Sequence, residues 1–218
     1  MKPRRASLPA ILACIAALAL APARAEDGGG VAILAFGDSL TAGYGLQPGQ
    51  AFPDRLEAAL RAQGLDVRVI NAGVSGETTG GGLRRLEWVL EAEVDAVILE
   101  LGANDALRGL APRQARKNLA AMLDILQARG LPVLLAGMRA PPNLGRAYVE
   151  AFDAIYPELA RQYGVALYPF FLDGVALQPH LNLPDGLHPN AAGVERIVAN
   201  ILPYAERLAA AAGAGQTP

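Results

Sequence analysis

Apolar positions along the chain alternate between two patterns. Val31 to Phe36 is a short continuous apolar run, which reads as a strand buried on both faces. The same reading extends to Val67 to Ile70, Asp95 to Leu101, Val133 to Ala136 and a short Val165 to Tyr168. Between these runs the period becomes helical. Residues 52–63 carry Phe52, Leu56, Ala59 and Leu60 on one face, and residues 79–91 read as a second helix. From Pro112, a residue suited to the first helical turn, Leu119, Met122, Leu123 and Leu126 mark a helix that ends before Gly130. Tyr148, Phe152, Ile155, Leu159 and Tyr163 form a further stripe, read as core, and residues 190–202 a closing helix with Val194, Ile197, Val198 and Ile201. Continuous apolar strands alternating with amphipathic helices predict an α/β fold, a three-layer sandwich around a parallel sheet. In such sheets chemistry gathers just beyond the carboxyl ends of the strands.

The first 25 residues follow another pattern. Lys2, Arg4 and Arg5 precede an apolar run from Leu8 to Leu20, and Ala23-Arg24-Ala25 is a small-x-small sequence. These features predict a cleaved secretory signal peptide over 1–25, and a periplasmic or secreted location for a single domain over 26–218. The alternative, a membrane anchor, needs about 20 apolar residues, and the run is shorter. Cys14 is the only cysteine, so the domain is expected to hold together without disulfides. Its length allows about 70% of the unfolded surface to be buried.

Composition narrows the field further. Of 218 residues, 52% are hydrophobic and 18% charged, which excludes a disordered chain, and the 24 glycines and 16 prolines show no repeat. Residues 1–25 hold four of the 19 basic residues and none of the 21 acidic ones, so 26–218 carry a net charge of −6. Nucleic-acid binding usually needs a basic face, and this balance gives it no support.

Four of the loops expected at the active edge hold the residue types of a serine esterase. They are Phe36-Gly37-Asp38-Ser39-Leu40, the run Asn71 to Glu77, Leu101-Gly102-Ala103-Asn104-Asp105, and Asp185-Gly186-Leu187-His188-Pro189-Asn190. A nucleophilic serine needs a base, the base an orienting acid, and the oxyanion preorganised donors. After residue 25 there are only two serines, Ser39 and Ser75, and two histidines, His180 and His188. His188 has Asp185 three residues before it, close enough to orient one imidazole nitrogen; His180 has no nearer acid and reads as a surface or packing histidine. Ser39 directly follows a buried strand and a glycine. Ser75 is its rival, since Gly73-Val74-Ser75 begins like a Gly-x-Ser-x-Gly elbow, but Glu77 stands where the last glycine belongs. Asn104 can offer an amide N–H to an oxyanion, or serve only as a turn residue. Gly76 can offer a backbone N–H, or only a positive φ.

The order Ser, Gly, Asn, Asp-x-x-His resembles the SGNH (GDSL) hydrolases, and within them the secreted arylesterase, acyl-CoA thioesterase and lysophospholipase branch. The resemblance runs from about Ile33 to Asn190. It includes Gly37-Asp38-Ser39-Leu40, Asn71-Ala72 with Ser75-Gly76-Glu77-Thr78, Leu99-Glu100-Leu101-Gly102 with Asn104-Asp105, Pro142-Asn143, Gly145-Arg146 and Pro169-Phe170-Phe171. It implies a flavodoxin-like five-stranded sheet, Ser39 as nucleophile, His188 as base and Asp185 as its orienting acid. The oxyanion hole it implies comprises the Ser39 N–H, the Gly76 N–H and the Asn104 side chain. One departure is Ala103, where relatives often have glycine; its methyl group narrows the site near Asn104 but removes no catalytic group.

The expected activity is hydrolysis of small-molecule carboxylic esters and thioesters by a monomer, without a cofactor and without stable membrane insertion. Pro141, Pro142, Asn143 and Leu144, in the loop after the fourth strand, are expected to form a stiff wall for the acyl group. No Gly-x-Gly-x-x-Gly or Gly-Lys-Ser/Thr loop occurs. Gly80-Gly81-Gly82 reads as a flexible start to a helix, and a metal site from His180, His188 and Asp185 lacks ligand spacing. Two rivals remain: a carbohydrate O-acetylesterase using the same groups, and a lipid- or glycan-binding protein that keeps the fold.

Overall fold

The computed structural model describes residues 30–214. The predicted signal peptide lies outside them. Five parallel strands, β1 (Val31–Gly37), β2 (Val67–Gly73), β3 (Ala96–Glu100), β4 (Val133–Ala136) and β5 (Ala166–Tyr168), form one sheet in the order β2-β1-β3-β4-β5. Ile33 pairs with Val69 on one side and Ala96 on the other, so β1 is interior, and Ile33 to Phe36 and Ala96 to Leu99 are buried on both faces. This is the flavodoxin-like order that the resemblance implies. The chain leaves β1 in one direction to β2 and resumes on its other side with β3, which opens a crevice between the carboxyl ends of β1 and β3.

The helices are α1 (Ser39–Ala42), α2 (Phe52–Ala62), α3 (Thr79–Val89), α4 (Ala103–Leu107), α5 (Pro112–Ala128), α6 (Arg146–Asp153), α7 (Ile155–Tyr163) and α8 (Ala191–Ala214). α2 packs on α8, while α3 packs on α5, which also meets α6 and α7; these two groups are the outer layers of the sandwich. Among the described residues no helix is long and apolar enough to cross a membrane.

Departures from the expected elements are local. β2 runs on to Gly73 because Ala35, Phe36 and Gly37 of β1 pair with Asn71, Ala72 and Gly73, a ladder that overrides their loop-like composition. The stripe from Tyr148 to Tyr163 is divided between α6 and α7 at Ala154. α8 continues past residue 202 through Pro203, carried by buried Ala205, Leu208, Ala209 and Ala212. Gly80 to Gly82 lie in the first turn of α3, at the helix start. A Cβ on Gly82 would overlap Leu101, so this glycine permits close helix–sheet approach, in contrast to the flexible role expected for the run.

Candidate active site

β1 delivers its last residues straight into a tight turn. Asp38 caps α1, its Oδ1 accepting from the Leu40 N–H at 3.0 Å, and Ser39 becomes the first helical residue, 8% exposed. The first N–H groups of a helix lack intrahelical partners. Accordingly, among the described residues the Ser39 N–H has no acceptor. α1 ends after one turn at Gly43, whose φ of +81° reverses the chain.

The loop before α8 supplies the other half. Asp185 Oδ1 accepts from the Leu187 and His188 N–H groups at 2.9 and 3.0 Å, and its Oδ2 lies 2.7 Å from His188 Nδ1. These backbone donors, then the imidazole, hold the Asp185 carboxyl down at about 2, so it is ionised at neutral pH. His188 Nε2 faces Ser39 Oγ at 3.0 Å. With Nδ1–H directed at the carboxylate, the Nε2 lone pair faces the serine hydroxyl. Asn190 anchors the loop: its N–H bonds the Leu181 carbonyl, and its side chain accepts from the Gly193 N–H at 3.0 Å, at the start of α8. Tyr44 lies against the imidazole with ring centroids 4.4 Å apart.

Two more loops complete the crevice. After β2, the Glu77 N–H closes a turn on the Val74 carbonyl and Gly76 takes a φ of +80°, a conformation that favours glycine. Arg108 donates to the Gly76 carbonyl at 2.7 Å, and among the described residues the Gly76 N–H has no acceptor. Arg85 ties this turn to the sheet by pairing with Glu77 and donating to the Gly37 and Ala72 carbonyls. After β3, Gly102 turns the chain at a φ of +124°, and Asn104 in α4 donates from Nδ2 to Asp38 Oδ2 at 3.0 Å. α4 is pinned beneath by Asp105, which accepts from the Thr79 N–H and hydroxyl at 2.8 and 2.6 Å; Asn118 of α5 donates to the same hydroxyl.

Ser39, Asn104 and His188 open into one cleft of about 690 Å³. Pro141, Pro142, Asn143 and Leu144 line it as expected, joined by Met138 and Phe170. Ala103 lines it too. Ser75 is exposed and is not among the lining residues; His180 is exposed on the 3₁₀ turn Pro179–Leu181. The structure thus places Ser39, Asn104, His188 and the acyl-wall residues around one cleft, with Asp185 behind His188; Gly76 stands in the turn after β2, tied to Arg108 and outside the cleft lining, and Ser75 and His180 lie away from the cleft. Sequence reasoning gave no role to Asp38, although it stands beside Ser39, or to Tyr44, which nothing in its local sequence marks.

The chain matches the model of the GDSL-like Lipase/Acylhydrolase family over residues 35–196. It is 44% identical over 172 residues to "Esterase TesA" of Pseudomonas aeruginosa, covering 78% of this chain and 86% of that one. It is 42% identical over 159 residues to "Thioesterase 1/protease 1/lysophospholipase L1" of Escherichia coli, covering 72% and 75%. Among solved structures, that of TesA superposes with a TM-score of 0.78 at 43% identity, covering 81% of this chain and 99% of that one. AlinE4, an SGNH-hydrolase family esterase, gives 0.71 at 51% identity, covering 83% and 97%. With sequence and overall structure both matching, the chain belongs to the GDSL-like lipase/acylhydrolase family and is an ester-cleaving serine hydrolase.

Proposed function

We propose that this hydrolase cleaves carboxylic esters and thioesters of fatty acyl groups through an acyl-Ser39 intermediate. The observation that carries the reading is the continuous relay from Ser39 Oγ through His188 to Asp185, at 3.0 and 2.7 Å, with the Ser39 N–H free of any acceptor among the described residues. His188 Nε2 takes the serine proton as Oγ attacks the acyl carbon. Asp185 stabilises the imidazolium without taking its proton. Charge developing on the acyl oxygen is met by the Ser39 and Gly76 N–H groups and by the Asn104 N–H not engaged by Asp38. The imidazolium then protonates the leaving alcohol or thiol, and neutral His188 activates water to release the acid.

An apolar acyl group is favoured by the cleft wall, where Leu40, Leu107, Met138, Leu144, Phe170 and Leu172 surround the opening beside Ser39. The relatives' names, esterase, arylesterase, thioesterase and lysophospholipase, fit the same class. All the proposed groups come from one chain, consistent with a monomeric enzyme, and the leader pattern of residues 1–25 supports export to the periplasm or medium of a single domain over 26–218. Protein sequencing of the exported form would test that location: an N-terminus near residue 26 is expected, and an intact leader would overturn it.

The substrate reading is tested by kcat/KM for p-nitrophenyl esters from acetyl to dodecanoyl. Each buried CH₂ contributes about 0.8 kcal/mol, so the value should rise up to about fourfold per carbon until the cleft is filled. A maximum at acetyl, falling with length, would instead favour a carbohydrate O-acetylesterase.

A further inference from the structure

We propose that Asp38 is a positioning residue which, through the hydrogen bond its Oδ2 accepts from Asn104 Nδ2, orients that amide as an oxyanion donor. This rests on the reading of Asn104 given above. Asparagine's amide has a broad terminal torsion and two chemically opposite ends, so its backbone alone does not decide which end meets a substrate oxygen. A carboxylate does decide it, because an ionised acid only accepts hydrogen bonds. At 3.0 Å it selects the NH₂ end and engages one of its protons, leaving the second for the cleft that Asn104 lines with Ser39.

The acid is poorly explained by folding alone. Asp38 is 0% exposed, and burial raises its carboxyl to about 6 despite the donors from Leu40 and Asn104. A carboxylate here therefore costs stability. What it supplies is two acceptors on one rigid plane: Oδ1 for the Leu40 N–H and Oδ2 for Asn104, each at 3.0 Å. Asparagine has the same shape but one acceptor. An asparagine at position 38 could satisfy the α1 cap or Asn104, but not both. The carboxylate thus couples the nucleophile's helix to the amide on α4 across the crevice between β1 and β3.

A double-mutant cycle tests this with p-nitrophenyl butyrate as substrate. Asn104→Ala should lower kcat by roughly 10²–10³, the usual loss for one oxyanion donor. Asp38→Asn should lower kcat by roughly tenfold to a hundredfold, with KM within about twofold, because the donor is misdirected, not removed. In the Asn104→Ala background, Asp38→Asn should cost less than about twofold more, since the amide it orients is gone. An equal loss in both backgrounds would overturn the proposal by showing that Asp38 acts elsewhere, as would a native kcat for Asp38→Asn. A native kcat for Asn104→Ala would instead sink the oxyanion reading itself. If Asp38→Asn fails to fold, the native enzyme still decides. Its Asn104 side-chain amide, assigned by loss of the signal in Asn104→Ala, should keep one proton that exchanges slowly with water; fast exchange of both overturns the proposal.

Discussion

Thr41 donates its hydroxyl to Glu100 at 2.7 Å, joining the last residue of β3 to the helix that carries Ser39. The same carboxyl oxygen accepts from the Asp38 N–H, while among the described residues the other, Oε1, has no partner. Glu100 is fully buried, and burial together with the nearby Asp38 charge pushes its carboxyl well above 4.5. The folded protein therefore holds this proton to a higher pH than the unfolded chain does. Such a group loses stability as pH rises from 4.5 towards its folded value. Glu100→Gln mimics the protonated acid and has no such loss. The Tm of Glu100→Gln relative to the native protein should climb as the pH is raised above 4.5; a pH-independent difference would show that Glu100 is ionised in the fold.

Ser39→Ala should reduce ester hydrolysis by roughly 10⁴-fold or more, the scale on which loss of a serine nucleophile acts. Ser75→Ala should stay within about twofold of the native rate, since a surface substitution away from the cleft disturbs little. A fluorophosphonate label should fail on the first variant and mark the second. The reverse pattern would move the nucleophile to Ser75.

The histidines should separate as sharply. Only His188 lies between a hydroxyl at 3.0 Å and a carboxylate at 2.7 Å, whereas His180 is exposed on a 3₁₀ turn. His188→Ala should be nearly inactive with unchanged thermal stability, and His180→Ala nearly native in both. An active His188→Ala enzyme would refute the proposed base.

Gly102→Ala tests the framework behind Asn104. Tyr156 donates to the Leu101 carbonyl at 2.9 Å, and a methyl group on Gly102 would overlap that hydroxyl from a backbone already at a φ of +124°. Both effects act at a buried position, so a loss of about 2–4 kcal/mol is expected, read from denaturant midpoints. A Tm within a degree of native would mean that the turn after β3 rearranges freely.

The architecture was legible because burial on both faces leaves a plain signature. Ile33, Leu34, Val97 and Ile98 have no polar face to alternate with, and Leu119, Met122, Leu123 and Leu126 face one way. What escaped was set by pairing across the sheet or by single turns. Asn71 to Gly73 read as loop because their strand character comes from β1. Helices α1 and α4, of four and five residues, are too short to show a period. The candidate site was legible for a different reason, scarcity: with two serines and two histidines after residue 25, an acid three residues before His188 separates the candidates. Tyr44 and Glu100 could not be found this way, because their roles arise from contacts at 4.4 Å with His188 and 2.7 Å with Thr41, remote in sequence.

The bond between Ser39 and His188 closes a span of 149 residues, from the first described strand to the loop that leads into the last helix. Ribosomes deliver those two ends at very different times. Under the proposed mechanism, a nascent or prematurely terminated chain that stops short of residue 188 carries a serine without a base. Catalytic power therefore waits until residue 188 has been made and the loop before α8 lies beside Ser39. A cell making such an enzyme would be spared acyl hydrolysis by unfinished copies, with no inhibitor or propeptide required.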